Sequence, residues 1–483
     1  MSTGDAARRA ARRQAAWLFG GALALRLLVV AFAASRFPPA DDGSFYHVVA
    51  QRIARGLGYT WAWPDGAVTY AAHYPVGYPG LLGAAYAVLG ASPTSAMLVN
   101  ALFGALLVVA VHACALRFTS LSRARWAALF VALEPTLVLY TAALMTEAVA
   151  AAVTLLLAAY ALWARERGGA LWRLPLGLGG AALLLIRPQL LPWLPMLGAV
   201  AVAVPDGAAP MRALLARLRG GTEVLVVSVL LCLPWTLRNC QKMDGCVFVS
   251  ANGGWNLLIG TLPEGDGTFA PIAGPSVPPE CRNVFGEAGK DRCFGHAGVG
   301  RIEQDPIGWL RLAPRKLAQL FNHSAIASSY LATSNPSLVT DPLRHRIATV
   351  ETLAGRLLLL GACFGLWRSA PGSDGARTRA RRGSLGQGLA ALAGAFALSP
   401  WGYVAQLCLL ARLAVELPGP GRRPLPFLAA GLLGLCVLTH IVFFGAARYA
   451  LVWLPWLPLL MVLPSGPPAR ATRRADEDRR RVF

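Results

Sequence analysis

The chain has 483 residues, 55% of them hydrophobic and 14% charged, with 45 basic side chains against 24 acidic ones and a net charge of +21. Ordinary soluble domains carry about 25% charged residues, so the composition excludes an ordinary soluble globule. A pI near 10.4 would suit a nucleic-acid binder, but a mean hydropathy of +0.50 argues against one. A polytopic membrane protein remains, and its test is where the positive charges fall.

A bilayer-spanning helix needs about 17–25 mostly apolar residues. The first such stretch is Trp17–Phe37, preceded by Arg8, Arg9, Arg12 and Arg13. No small-residue cleavage site follows it, which reads as an anchor rather than a removed signal. Further candidates lie at about 93–116, 125–143, 147–163, 172–186, 190–205, 222–238, 348–367, 384–398, 401–416, 425–444 and 449–463, making twelve. The segments 384–398 and 401–416 are short, and read either as a tight hairpin at Ser399-Pro400-Trp401-Gly402 or as one irregular segment.

With the N-terminus cytoplasmic, the cytoplasmic pieces are 1–16, 117–125, 165–173, 205–219, 368–382, 412–423 and 465–483. They hold 27 arginines and eight acids, so +19 of the +21 falls on one side and both chain ends are cytoplasmic. The expected fold is an all-α polytopic bundle of about twelve transmembrane helices over 1–464, with a basic cytoplasmic tail over 465–483. No internal repeat supports an inverted-repeat transporter.

The opposite side carries two long segments, about 38–92 and 239–347. The second holds Cys240, Cys246, Cys281 and Cys293, whose placement in an oxidising compartment permits disulfides of open pairing. Cys114, Cys232, Cys363, Cys408 and Cys436 fall in spans as small apolar fillers. No cysteine or histidine spacing suggests zinc.

In the first long segment, Phe37-Pro38-Pro39 is followed by Asp41-Asp42-Gly43-Ser44-Phe45-Tyr46. Phe45, Val48, Val49, Ile53 and Leu57 then recur at helical spacing, which predicts an amphipathic helix lying on the membrane surface and ending at Gly56 and Gly58. His73-Tyr74-Pro75-Val76-Gly77-Tyr78-Pro79 leads into a short apolar helix over Gly80–Gly90, also interfacial. Asp42 could serve merely as the cap of the helix beginning near Gly43, but one cap leaves the second Asp unexplained.

Glu147 begins the fourth span on the same face, where an acid is favoured by the helix dipole alone. Arg187, Arg238 and Arg448 stand at the external ends of their spans, against the charge rule that the rest of the chain obeys. Any one of them can snorkel to the interface; three facing Asp41, Asp42 and Glu147 suggest a bound phosphate, which the guanidinium fork suits. Arg26 and Glu134 lie within spans, where ionised groups are costly and hint at function without naming it.

Asp42-Gly43-Ser44-Phe45-Tyr46, followed by Ala50 and Gly56-Leu57-Gly58-Tyr59, resembles the first-loop motif of the GT-C membrane glycosyltransferases. The branch resembled contains glycosyltransferase family 39, the lipopolysaccharide galacturonosyltransferases and the lipid A aminoarabinose transferases. Tyr74-Pro75-Val76-Gly77-Tyr78-Pro79, Leu144-Met145-Thr146-Glu147, Leu185-Ile186-Arg187-Pro188, Arg238-Asn239, Asn252-Gly253-Gly254-Trp255-Asn256-Leu257 and Ala447-Arg448-Tyr449 fit the same pattern in order. Each motif is weak alone; the ordered set, from about 20 to 460, is fairly specific.

The resemblance implies transfer of a sugar from a polyprenyl-phosphate donor to a glycan, lipid or protein acceptor, at the extracytoplasmic face of the cell (inner) membrane. It implies a first-loop Asp as base, Asp42 by tyrosine spacing and Asp41 as the alternative, with Glu147 as the second-loop acid. Arg187, Arg448 and Arg238 become donor phosphate ligands, and Tyr46, His73, Tyr74, Tyr78, Asn256 and Tyr449 substrate-binding residues. The large loop 239–347 would shape the acceptor site.

In chemical terms, a leaving phosphate needs cations, and a neutral acceptor hydroxyl needs a carboxylate to take its proton. One base acting in a direct displacement inverts the anomeric centre, an outcome that rests mainly on the resemblance. No cofactor is indicated, though Asp41 and Asp42 could jointly bind a divalent cation. Nucleotide sugars are cytoplasmic, and no Gly-rich phosphate loop appears on the cytoplasmic side, which favours a lipid-linked donor. A transporter or flippase for lipid-linked sugars is the main alternative, but would hold its ionisable groups near the midplane. A non-catalytic scaffold would have no need of the Asp doublet.

Overall fold

The computed structural model describes residues 3–205, 207–322, 325–369, 376–415 and 423–464. The basic tail expected over 465–483 lies outside the described residues, as do parts of the pieces 368–382 and 412–423 expected on the cytoplasmic side. Among the described residues, the architecture is all-α apart from one small hairpin. Six helices among the described residues are long and apolar enough to cross a membrane, and the chain is a multi-pass membrane protein.

Helix α1 (Thr3–Ala33) leads into α2 (Asp42–Ala54), a two-stranded hairpin of β1 (Thr60–Ala62) and β2 (Val68–Tyr70), and α3 (Gly77–Leu89). The hairpin is antiparallel with Thr60 opposite Tyr70 and Trp61 opposite Thr69. It was not anticipated, although Pro64-Asp65-Gly66 between β-branched and aromatic residues is a turn signal. The surface helix expected after Asp42 is α2, and Gly56, at φ 74°, follows its last turn in a conformation that favours glycine.

The bundle continues with α4 (Pro93–Leu116), α5 (Leu121–Leu133), α6 (Pro135–Leu139), α7 (Glu147–Arg167), α8 (Leu174–Ile186), α9 (Leu194–Val200) and α10 (Pro210–Lys242). Side-chain caps fix several starts: Ser92 accepts from the Ser95 amide, Ser120 from Arg123 and Glu134 from Leu137. Helix α4 packs between α1 and α7, while α10 lies along α8 and α9. Gly198 on α9 sits so near the Gly220 carbonyl of α10 that a side chain there would collide with backbone.

The large loop is mostly helical: α11 (Gly253–Ile259), α12 (Glu287–Gln304), α13 (Pro306–Arg311), α14 (Ala313–Leu320) and α15 (Ala327–Ser334). The last group is α16 (Asp341–Arg368), α17 (Ala376–Ala397), α18 (Gly402–Ala414), α19 (Pro424–Val442) and α20 (Leu457–Met461), with short 3₁₀ turns at Ala447–Val452 and Leu454–Trp456.

The twelve expected spans therefore differ in kind. Those over 125–143, 190–205 and 449–463 are broken into short α and 3₁₀ pieces. Prolines 135, 188, 192, 195, 455 and 458 cause the breaks, since each lacks an amide donor and its ring clashes with the preceding turn. The buried carboxylate of Glu134 receives the Leu137 amide and the Thr136 hydroxyl at the break between α5 and α6, which accounts for one intramembrane ion.

Disulfides pair Cys240 with Cys246 and Cys281 with Cys293, and the other five cysteines are free and buried. The first loop, the turns before α7 and after α8, the 239–347 segment and the turn after α19 all meet at one end of the bundle, around a common cavity.

Candidate active site

The cavity has a volume of about 600 Å³ and an ionic chain on one wall. Asp42 is the first residue of α2, and Tyr74 donates its hydroxyl to Asp42 Oδ1 at 2.7 Å. Arg448 Nη2 lies 2.9 Å from Asp42 Oδ2, and its Nε is 3.7 Å from Glu147 Oε1. Glu147 Oε1 in turn lies 2.6 Å from Arg187 Nη2, while Oε2 accepts from the Tyr140 hydroxyl at 3.2 Å. Two carboxylates and two guanidiniums thus alternate as Asp42, Arg448, Glu147, Arg187.

Local structure sets each member. Glu147 is the first residue of α7 and only 1% exposed, so its partners are two arginines rather than water. Arg187 stands just past α8, where Pro188 stops the helix and turns the backbone to φ −145°. It donates to Thr146 Oγ1 at 2.9 Å and lies over the Tyr449 ring at 5.2 Å. Its Nε is buried without a hydrogen-bond partner among the described residues, a spare donor in a wall suited to anions. Arg448 also donates to the Tyr449 hydroxyl at 3.2 Å.

Neither aspartate caps α2. Asp41 holds the cap position but makes no side-chain cap bond. Its backbone, at φ 49° and ψ −135°, forms the first central position of a tight turn closed by the Gly43 amide on the Ala40 carbonyl at 2.9 Å. Asp41 is exposed and lies off the cavity wall, whereas Asp42 is on it. Both carboxylate oxygens of Asp42 already have partners, Oδ1 in Tyr74 and Oδ2 in Arg448.

Tyr46, His73, Tyr74, Asn256 and Tyr449 line the cavity with Asp42, Glu147, Arg187 and Arg448. Besides Asp41, two expected residues do not join them. Tyr78 is fully buried behind Tyr46, with ring centroids 5.5 Å apart, and its hydroxyl goes to Asn100 Oδ1. Arg238 donates to the carbonyls of Ala71 at 2.8 Å and Tyr59 at 2.7 Å, and sits over Trp235 at 4.7 Å. Its guanidinium ties the hairpin to α10 instead of facing the cavity.

Another part of the wall comes from the first and large loops. Glu287 on α12 accepts the amides of Ala72 at 2.5 Å and His73 at 2.8 Å; one turn on, Asp291 accepts the Trp255 amide at 3.0 Å. Helix α12 thereby holds His73 edge-on to Trp255, centroids 5.1 Å apart. Burial pushes His73 down to about 4, offset in part by Asp42 and the Ala251 carbonyl, and pushes the Glu287 carboxyl up against its two amide donors. Disulfide Cys281–Cys293 closes a small core with Leu258 and Phe294 beneath Trp255. Phe443 and Phe444, at the end of α19, supply apolar lining.

Sequence reasoning missed Thr146, Ser250 and His440, all on the wall. Thr146 stands inside a quoted motif and was legible there; Ser250 and His440 carry no local pattern. His440 bonds the Cys436 carbonyl one turn back at 2.7 Å and rests against Tyr449. Among the described residues, no group of three or more His, Cys, Asp or Glu could hold a metal ion.

No protein-family model and no curated protein sequence matches the chain. Among solved structures, it is similar to ArnT from Cupriavidus metallidurans bound to undecaprenyl phosphate, at 14% identity and a TM-score of 0.37, over 92% of this chain and 77% of that one. It is also similar to the Archaeoglobus fulgidus oligosaccharyltransferase, at 13% identity and a TM-score of 0.37, over 97% of this chain and 59% of that one.

Proposed function

We propose that the protein is an integral-membrane GT-C-type glycosyltransferase, moving a sugar from a polyprenyl-phosphate donor to an acceptor hydroxyl at the extracytoplasmic face. The observation that carries the reading is Arg448, bound between the carboxylates of Asp42 and Glu147 with Arg187 beside it, on the wall of a cavity that also has apolar lining. A cation pair suits a phosphate; a carboxylate within the same chain suits a base; Phe443 and Phe444 suit a lipid.

In the reaction, the acceptor oxygen attacks the anomeric carbon as the bond from that carbon to the phosphate oxygen breaks. The bonding electron pair leaves with the phosphate, whose growing charge Arg448 and Arg187 stabilise. Asp42 takes the acceptor proton and returns it to solvent, and Tyr74 fixes the rotamer of that carboxylate. With one base and no covalent intermediate, the anomeric centre inverts. Glu147 orients both arginines. Tyr46, His73, Asn256 and Tyr449 contact substrate, and the acceptor lies against the wall held by α12.

The test is a transfer assay on the purified full-length protein in detergent, with a panel of polyprenyl-phosphate sugars and candidate acceptors. Donor consumption that yields free polyprenyl phosphate, and that is lost in Asp42→Asn, is expected. A donor left intact while vesicles containing the protein flip the lipid-linked sugar would replace this reading with a transporter.

A further inference from the structure

A tyrosine of the large loop reaches both segments that carry the candidate carboxylates. The Tyr330 hydroxyl oxygen accepts the Ala40 amide at 3.2 Å and the Leu144 amide at 3.2 Å. Ala40 lies two residues before Asp42, and Leu144 three before Glu147. One atom therefore fixes the spacing between the first loop and the turn that opens α7. Each amide is buried away from water, so each depends on that oxygen for its partner.

Its surroundings leave the oxygen little freedom. A side-chain carbon on Gly43 would stand 2.8 Å from the Tyr330 oxygen and 3.0 Å from the Leu144 carbonyl, so glycine is needed there for close approach. The Tyr330 ring packs against Tyr140, whose own hydroxyl donates to Glu147. Helix α15 is anchored at its start by Glu351 of α16, which accepts from the Ala327 amide and the Ser328 hydroxyl, both at 2.6 Å. At its other end, Ser334 donates to the Pro38 carbonyl and Asn335 to that of Arg36. The chain leading to Asp42 is thus held by α15 at 36, 38 and 40, and α15 is held by a membrane-spanning helix.

We infer that Tyr330 is a positioning residue for transfer: its hydroxyl sets the register between Asp42 and Glu147, so that a single Arg448 bridges both. This rests on the proposed function for its kinetic consequence, but not for its structural one. The residue touches no substrate; it acts through two backbone amides.

Hydrogen–deuterium exchange on the full-length protein tests the structural arm without any substrate. In Tyr330→Phe, which keeps the ring, peptides covering 38–46 and 140–147 should both exchange faster than in the wild type, while those from α4 and α10 stay unchanged. Gly43→Ala, which crowds the same oxygen from the other side, should give the same paired signature. Exchange that is unchanged, or faster in only one of the two segments, overturns the inference. In the transfer assay, Tyr330→Phe should lower kcat on the order of 100-fold, as a misplacement of about 1 Å does, with the donor KM within about threefold of wild type. A kcat within about twofold of wild type, alongside an inactive Asp42→Asn, overturns the inference and leaves the proposed function standing. An active Asp42→Asn instead removes the base assignment, and the exchange result then decides the positioning claim alone.

Discussion

Arg448 Nη2 stands 2.9 Å from Asp42 Oδ2, while the Nε of the same guanidinium faces Glu147 Oε1 at 3.7 Å. One cation thus serves two acids from different loops. In the proposed reaction, a donor phosphate competes for that guanidinium and loosens its hold on Asp42. Donor binding would then prepare the base, and acceptor would follow donor.

Arg448→Lys should lower kcat by about 10² or more and raise the donor KM, because an ammonium lacks the fork that spans two acids. Steady-state kinetics with both substrates varied checks this. The wild type should show competitive inhibition by polyprenyl phosphate against the donor and not against the acceptor. Random-order kinetics would remove the coupling argued from this contact.

Asp41 and Asp42 should separate cleanly. Asp42→Asn is expected to lose about 10²–10⁴ in kcat, the range for a general base, whereas Asp41→Asn should stay within about threefold. Asp41→Gly should keep transfer and gain up to about 1 kcal/mol in stability, since φ 49° with ψ −135° strains any residue with a Cβ. Transfer rates and thermal melts of the three variants distinguish these outcomes.

His73 gives a pH dependence with a definite sign. Burial holds its folded-state value at about 4, below the ordinary 6.5, so the unfolded chain takes up the proton first. Stabilisation by neutral His73 is complete above about pH 6.5 and is lost as pH falls towards 4. Relative to the wild type, His73→Gln should therefore gain in melting temperature on acidification through that window. Melts of both proteins at several pH values, compared as differences, check the slope.

Arg238 and Tyr78 should behave as structural residues. Arg238→Ala loses charge-assisted bonds to two carbonyls and is expected to cost about 2 kcal/mol of stability, with the donor KM within about threefold. Tyr78→Phe loses one bond to Asn100, worth about 1 kcal/mol, and should transfer normally. A donor KM raised tenfold in Arg238→Ala would return that residue to the phosphate site.

The long apolar helices were legible because a 20-residue apolar run admits little but a membrane helix. Glu147, Arg187 and Arg448 were legible because each is an ionisable group at the end of a span, where a charge needs a reason, and Asp42 because it opens a loop helix in an Asp-Gly-Ser-Phe-Tyr motif. Arg238 satisfies the same description, and what separates it from Arg187 is the hairpin at 60–70, whose flanking carbonyls at Tyr59 and Ala71 capture it. The breaks at Pro135, Pro192 and Pro455 were readable residue by residue, but runs of Leu and Ala around them kept the hydropathy high. Tyr330 carries no local signal, because its partners lie some 190 and 290 positions away and only the folded chain brings them together.

The two disulfides span sequence separations of only 6 and 12. By the chain-entropy argument, loops so short add about 3 kcal/mol or less each, small beside the burial that maintains a bundle of apolar helices in lipid. Cys240 stands near the end of α10, while Cys246, Cys281 and Cys293 lie in the large loop, next to the wall segments at 248–256 and beneath Trp255. A thiol reductant should therefore leave the transmembrane melt almost unmoved while loosening acceptor binding. If the large loop faces an oxidising compartment, as the proposed function requires, the bridges would act as a maturation step that gives the wall its final shape.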